Sequence, residues 1–185
     1  MEVKTIGIIG ARTPGKELAA AALEAGYAVI LEDVSPEMLA QGVESIQAAL
    51  APAKRDEHLQ RLQTSRSVED VTRIADMLIE ALPEELEAKL EIFTIFDKFA
   101  RPGAILASTS RETPIFDLAD MTYRAEECVG FRFASEARHG NATQKAEPWI
   151  EITRAYGTST PTVATCQDVA RKMNFASAII EEPRA

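Results

Sequence analysis

Thr5-Ile6-Gly7-Ile8-Ile9-Gly10-Ala11-Arg12-Thr13-Pro14-Gly15 is the stretch on which the fold turns. A short run rich in β-branched residues ends at a glycine, and an alanine-rich segment over residues 17–25 follows before Gly26. That order reads as strand, turn and helix, with Gly26 as the C-terminal stop. Pro14 is acceptable in a helix's first turn, where its missing N–H leaves no hydrogen bond unmade. Residues 27–31 are almost continuously apolar, as expected of a strand covered on both faces, and close on Glu32 and Asp33. The result is a βαβ unit.

Working outward, Ser35-Pro36 supplies an N-cap and first-turn pair, after which Leu39, Val43, Ile46 and Leu50 recur at helical spacing. Residues 51–66 are charged and weakly periodic, and are expected to form a short helix plus a loop on the sheet edge. Residues 76–81 read as another strand. Pro83-Glu84 opens a helix with Leu86, Leu90, Phe93 and Phe96 on one side, ended by Pro102-Gly103. Residues 104–107 and 128–133 are further buried strands, and residues 149–153 alternate in the manner of a sheet edge. Thr160-Pro161 starts a last helix, striped by Val163, Cys166, Val169 and Met173, and residues 178–180 form a final strand. Strands alternating with helices predict a single α/β domain over residues 1–185, a Rossmann-type, doubly wound, mostly parallel sheet. The polar stretch 135–147, containing Gly140, is the candidate mobile loop.

With 185 residues, 46% of them hydrophobic, the chain is sized for one core. A formal charge of −9 offers no basic field for nucleic acid or an anionic membrane, so neither is an expected partner. Cys128 and Cys166 lie far apart and outside any C-x-x-C pattern, which argues against a disulfide framework and against a metal site. No targeting segment or apolar run of membrane-spanning length is read at the N-terminus, and the expected location is cytoplasmic.

A dinucleotide fingerprint needs one glycine to turn, a second to admit the pyrophosphate to the backbone, and a third to pack helix on strand. Gly10 and Gly15 fill the first and third places, while Arg12 occupies the second. Asp33 follows Gly10 by 23 residues, where the ribose-binding acid belongs. The bland alternative is that the two glycines serve only the turn and Asp33 only ends a strand.

Taken together, several segments resemble the NAD-binding domain of the 3-hydroxyacyl-CoA dehydrogenase family. They are Ile8-Ile9-Gly10-Ala11, residues 25–35, DMLIEALPEELEAK over residues 76–89, residues 104–108, and Val129-Gly130-Phe131-Arg132-Phe133. The resemblance implies an oxidoreductase of fatty acid metabolism, with NAD as hydride acceptor and an acyl-CoA or related anionic small molecule as substrate. It further implies a helical C-terminal domain that completes the site and makes a homodimer; this chain ends about where that domain would begin. On the family's pattern, Asp33 matches the adenosine-ribose acid, and Glu84 and Lys89 match positions facing the nicotinamide. The catalytic serine of an A-S-N-T-S-S stretch falls on Arg111, or on Ser110 if the alignment slips by one residue. The catalytic histidine of H-F-F-N-P falls on Arg132 and its asparagine on Ser135. Glu151 matches the acid that orients the histidine.

Arginine stays protonated at any working pH, so Arg132 cannot take the hydroxyl proton that an alcohol oxidation must lose. His139 and His58 are read as non-catalytic. The candidate cofactor contacts are therefore Gly10, Arg12, Gly15, Asp33, Glu84 and Lys89, with Glu151 retained from the catalytic set. Arg12, Arg111 and Arg132 are expected to converge in the cleft. They either bind a small anion or plug vacated pockets by pairing with local acids, Arg132 with Glu151 and Arg12 with Glu32 or Asp33. Three functions follow: a family domain weak or inactive as a lone chain, a subunit of a split dehydrogenase completed by a helical partner chain, or a non-catalytic regulatory or assembly subunit.

Overall fold

The computed structural model describes residues 2–134 and 149–183. Eight strands form one sheet: β1 (Thr5–Ile9), β2 (Ala28–Glu32), β3 (Leu62–Ser65), β4 (Met77–Glu80), β5 (Ile105–Ser108), β6 (Cys128–Ala134), β7 (Trp149–Arg154) and β8 (Ser177–Glu181). Their order is β3-β2-β1-β4-β5-β6-β7-β8. Every pairing is parallel except β6 with β7. This is the doubly wound Rossmann-like arrangement that the alternation of elements predicts.

The helices are α1 (Gly15–Glu24), α2 (Pro36–Ala49), α3 (Arg55–Leu59), α4 (Val68–Ile74), α5 (Leu86–Phe99), α6 (Ile115–Ala119) and α7 (Thr160–Lys172). Strand alternation divides the core between the two faces of the sheet. Ile6, Ile8, Val29 and Leu31 pack on one side with Leu18 and Leu23 of α1, Leu39 and Ile46 of α2, and Val163 and Val169 of α7. Ile9, Ile30 and Leu78 pack on the other with Val71 of α4, Phe93 and Phe96 of α5, and Leu118 of α6. Ser35 caps α2 and Ser159 caps α7 through their side-chain oxygens. No helix of the described residues is long and apolar enough to cross a membrane.

Three details differ from the reading of the sequence. The edge segment within residues 51–66 is a short 3-10 turn and α3 followed by a true strand, since residues 62–65 pair with residues 29–32 of β2. Strand β7 is interior, held by β6 and β8, and the edge is β8. Helices α4 and α6 are short elements that periodicity did not resolve. The stretch 135–147 falls within residues 135–148, which lie outside the described residues, and so do Ser135 and His139.

The chain order reverses between β1 and β4, because β2 and β3 lie on one side of that pair and β5 onward on the other. Ligands of doubly wound sheets bind at such a switch point, beyond the carboxyl ends of the strands. The turn after β1 is built on two glycines that the backbone itself requires. Gly10 has φ +108°, and a Cβ there would meet the Ala81 carbonyl oxygen at 2.7 Å. A Cβ at Gly15 would stand 2.0 Å from the Gly10 carbonyl oxygen, so α1 can leave the strand at this angle only from a glycine. Gly15→Ala is expected to lose about 2–3 kcal/mol of stability. Urea unfolding would show this as a lowered midpoint, and an unchanged midpoint would contradict it.

Candidate active-site cleft

Turns from four strands meet at the switch point. The loop after β1 brings Thr13 and Pro14, the first turn of α1 brings Glu17, the loop after β4 brings Leu82, Pro83 and Glu84, β5 leads into Thr109 and Arg111, and β6 presents Arg132 and Phe133. Together they line a cleft of about 390 Å³. Beneath it lies a buried polar network that sequence reading divided wrongly.

Lys89, in the first turn of α5, is completely buried. Its ammonium donates to Glu80 Oε1 at 2.9 Å and to the Leu82 carbonyl at 3.2 Å, and stands 3.6 Å from Glu84. Glu80, also completely buried, accepts in addition from the Leu82 N–H and from Ser108 Oγ, both at 2.6 Å. Ser108 in turn accepts from the Ser110 N–H, and Ser110 Oγ donates to Glu84 Oε2 at 2.6 Å while accepting from the Thr113 N–H. Burial alone would raise the Glu84 carboxyl, yet hydrogen bonds from Ser110, the Arg111 N–H and Lys89 together hold it below the usual carboxylate range. Lys89 therefore does not face a ligand as the family pattern implied. It is closed off behind Glu84 because the acid at position 80 claims it. The signal for this partner was present in the sequence as a single acid at the end of an apolar strand.

Of the candidate cofactor residues, Asp33 is placed as expected, just past the end of β2. Its two oxygens accept from the Ala11 N–H at 3.1 Å and the Ser35 N–H at 2.9 Å, which ties the glycine turn to the start of α2. A carboxylate has about four acceptor sites, so each oxygen keeps one for a ribose hydroxyl. Neighbouring Glu32 is only 3% exposed, and burial, followed by the charge of Asp33, pushes its carboxyl up to about 7.

The pyrophosphate position does not fit. A helix N-terminus binds phosphate through free N–H groups and close backbone approach. Here Arg12 puts a side chain at the required glycine. Pro14, at the N-cap of α1, has no N–H, and the Lys16 and Glu17 N–H groups already donate to the Arg12 and Pro14 carbonyls. The residues present thus fit the adenosine end of a dinucleotide and disagree with its centre.

Two of the three arginines converge. Arg132 lies directly opposite Glu151 in the antiparallel β6–β7 ladder and is ion-paired with it. Arg132 Nη1 also donates to the Ser110 carbonyl at 3.2 Å, and Arg111 Nη2 donates to the Phe133 carbonyl at 3.0 Å. Each guanidinium is thereby tied to the main chain beside the other arginine, a reciprocal strap across the ends of β5 and β6. Arg12 departs from expectation: it is exposed, does not line the cleft, and pairs with neither Glu32 nor Asp33. Asp33 accepts instead from the Ala11 and Ser35 N–H groups. His58, in a charged helix, is buried rather than solvated and lies away from the cleft. Cys128 and Cys166 are free and buried, which pushes their thiols up to about 11 and about 12. Among the described residues no group of three His, Cys, Asp or Glu side chains could hold a metal ion.

The family model described as "3-hydroxyacyl-CoA dehydrogenase, NAD binding domain" matches residues 5–181. The chain is 31% identical over 182 residues to a probable 3-hydroxybutyryl-CoA dehydrogenase of Bacillus subtilis, covering 94% of this chain and 61% of that protein. It is 30% identical over 145 residues to the mitochondrial hydroxyacyl-coenzyme A dehydrogenase of Sus scrofa, covering 71% of this chain and 46% of that one. The crystal structure of (S)-3-hydroxybutyryl-CoA dehydrogenase from Ralstonia eutropha superposes with a TM-score of 0.87 at 24% identity, over 98% of this chain and 65% of that chain. The chain therefore spans under two thirds of the length of each of these proteins.

Two outcomes test the buried chemistry. Lys89→Met leaves the Glu80 charge buried without its partner and is expected to cost about 3–5 kcal/mol, measured by urea unfolding; a loss under about 1 kcal/mol would contradict the network. For Glu32 the folded-state carboxyl lies above its ordinary 4.5, so its stabilising contribution is present below that value and lost as pH rises through about 7. Wild type is accordingly expected to lose stability relative to Glu32→Gln across that window, and parallel pH profiles for the two proteins would refute it.

Proposed function

The chain belongs to the 3-hydroxyacyl-CoA dehydrogenase family as a form of its NAD-binding domain, and from that premise we propose that it does not by itself catalyse hydride transfer. The single observation carrying this reading is the Arg132–Glu151 ion pair. Oxidation of a 3-hydroxyacyl group requires a base for the hydroxyl proton, and the position that supplies it in the family holds a guanidinium, which cannot accept one. Glu151 is retained, but its carboxylate is spent on neutralising Arg132. Ser110 is not a free hydroxyl, because its oxygen donates to Glu84 and accepts from Thr113.

NAD, when bound, supplies the hydride acceptor of the family reaction. In this chain Asp33 would hold the adenosine ribose, while Arg12 and Pro14 deprive the pyrophosphate of the backbone contacts it needs. Weak NAD binding follows. An acyl-CoA substrate, a homodimer, a cytoplasmic location and a helical partner chain remain parts of the family pattern that we carry over only as proposals. The partner reading has one specific support: Phe116 and Ile180, at 40% and 43% exposure, line a neighbouring cavity beside Arg111 and Arg132, where a covering element would sit. A partner would shield these side chains without restoring a base, so regulation or assembly suits such a complex better than turnover.

The test is NAD-dependent oxidation of 3-hydroxybutyryl-CoA, followed by nicotinamide absorbance, together with a calorimetric titration of NAD. Turnover is expected to fall at least about a hundredfold below an ordinary rate near 10 per second, from loss of the general base. Oxidation at an ordinary rate by this chain would overturn the proposal.

A further inference from the structure

The strap across β5 and β6 leaves cationic donors over. Arg132 spends Nη1 on the Ser110 carbonyl and Nη2 on Glu151, whereas Arg111 spends only Nη2, on the Phe133 carbonyl. A guanidinium has five N–H donors in a fixed plane. Among the described residues Arg111 has no carboxylate partner, since Glu84 meets its main-chain N–H and not its side chain. Arg111 thus keeps unspent guanidinium donors at the gap between the strand ends, beside an Arg132 that is already paired with Glu151.

The same two arginines line cavities on both sides of the strap. One is the cleft beneath the glycine turn; the other, of about 460 Å³, is formed between the loop after β5 and the ends of β6, β7 and β8. Pro114, Ile115, Phe116 and Ile180 supply apolar lining to the second cavity. Its mouth is fixed by Glu182, whose carboxylate accepts from the Ile115 and Phe116 N–H groups at 2.8 and 2.9 Å and so pins the loop after β5 to the end of β8. A cationic fork beside an apolar wall is complementary to a molecule with an anionic head and an apolar chain.

We propose that Arg111 and Arg132 form a carboxylate-binding subsite for a short-chain free carboxylic acid, with its apolar chain along Ile115, Phe116 and Ile180. A carboxylate can accept from the unspent Arg111 donors in the paired manner that a guanidinium favours. The Glu84 and Glu17 carboxylates in the cleft and the Glu112, Asp117 and Glu181 side chains around the second cavity repel any anion in proportion to its charge, so a monoanion is favoured over a phosphate. The inference deepens the reading that this cleft has left hydride transfer, because the arginines that displaced the serine and histidine become the ligand contacts.

Calorimetric titration of the full chain with hexanoate, hexanol and inorganic phosphate, in the absence of NAD, tests the subsite separately from the oxidation assay. Hexanoate is expected to give saturable heat, with hexanol and phosphate each at least about tenfold weaker. Arg111→Gln, at an exposed position where folding is not at stake, is expected to weaken hexanoate about tenfold, and Arg12→Gln, outside the cleft, to leave it unchanged. No saturable heat with hexanoate, equal affinity for hexanol, tighter binding of phosphate, or full affinity in Arg111→Gln would each overturn the subsite. Failure of any of these would leave the predicted lack of oxidation standing, since that assay reads the missing base alone.

Discussion

A lysine buried without exposure beside two acids is the constraint around which this end of the fold is organised. Lys89 and Glu80 are both fully removed from solvent, and an ion pair in such a place survives only if nearly every donor and acceptor is used. Here the surplus groups are used on the main chain. The Leu82 N–H and carbonyl, Ser108 Oγ and, through Ser110 and Glu84, the Arg111 N–H are all held by the same cluster. The loops after β4 and β5 are thereby set against each other, and those two loops form much of the wall of the cleft. The pair confers little net stability compared with apolar residues of the same size; what it confers is one geometry for the strand ends.

Set beside this, the glycine turn separates what the fold needs from what a ligand needs. Gly10 and Gly15 are retained where a Cβ would strike backbone atoms of the chain itself. The glycine that would matter only to a pyrophosphate is Arg12, and a neighbouring N–H is lost to Pro14. The family's architecture can therefore persist under intramolecular packing alone while its ligand contacts are released. The same division holds at the other end of the cleft. Arg132 lies opposite Glu151 in the β6–β7 register, and the carboxylate is used to neutralise that cation.

Much of the fold was legible because its signals are local. Apolar β-branched runs, serine caps and helical stripes placed most of the strands and the longer helices at or near their observed positions. The missed elements are short. Strand β3 is a half-exposed, largely polar run of four residues that becomes a strand only by pairing with β2, and helices α4 and α6 are too brief to show a period. For β7, alternation of burial was read correctly but its meaning was not. An interior strand next to an antiparallel neighbour can alternate as an edge strand does, and only the docking of β8 distinguishes them.

The sequence alone determined the doubly wound class, the family resemblance and the absence of a base at position 132, and it offered the pairing of Arg132 with Glu151 as one of two alternatives. Each follows from residue identity and its local pattern, whereas the β6–β7 register that sets Arg132 opposite Glu151 is tertiary. Only the tertiary structure decided that Lys89 turns inward to Glu80, that Arg12 leaves the cleft, and that Arg111 and Arg132 are tied crosswise between β5 and β6. The direction of a long charged side chain is set by which distant acid or carbonyl lies within reach, and that distance exists only once strands far apart in the chain have been brought side by side.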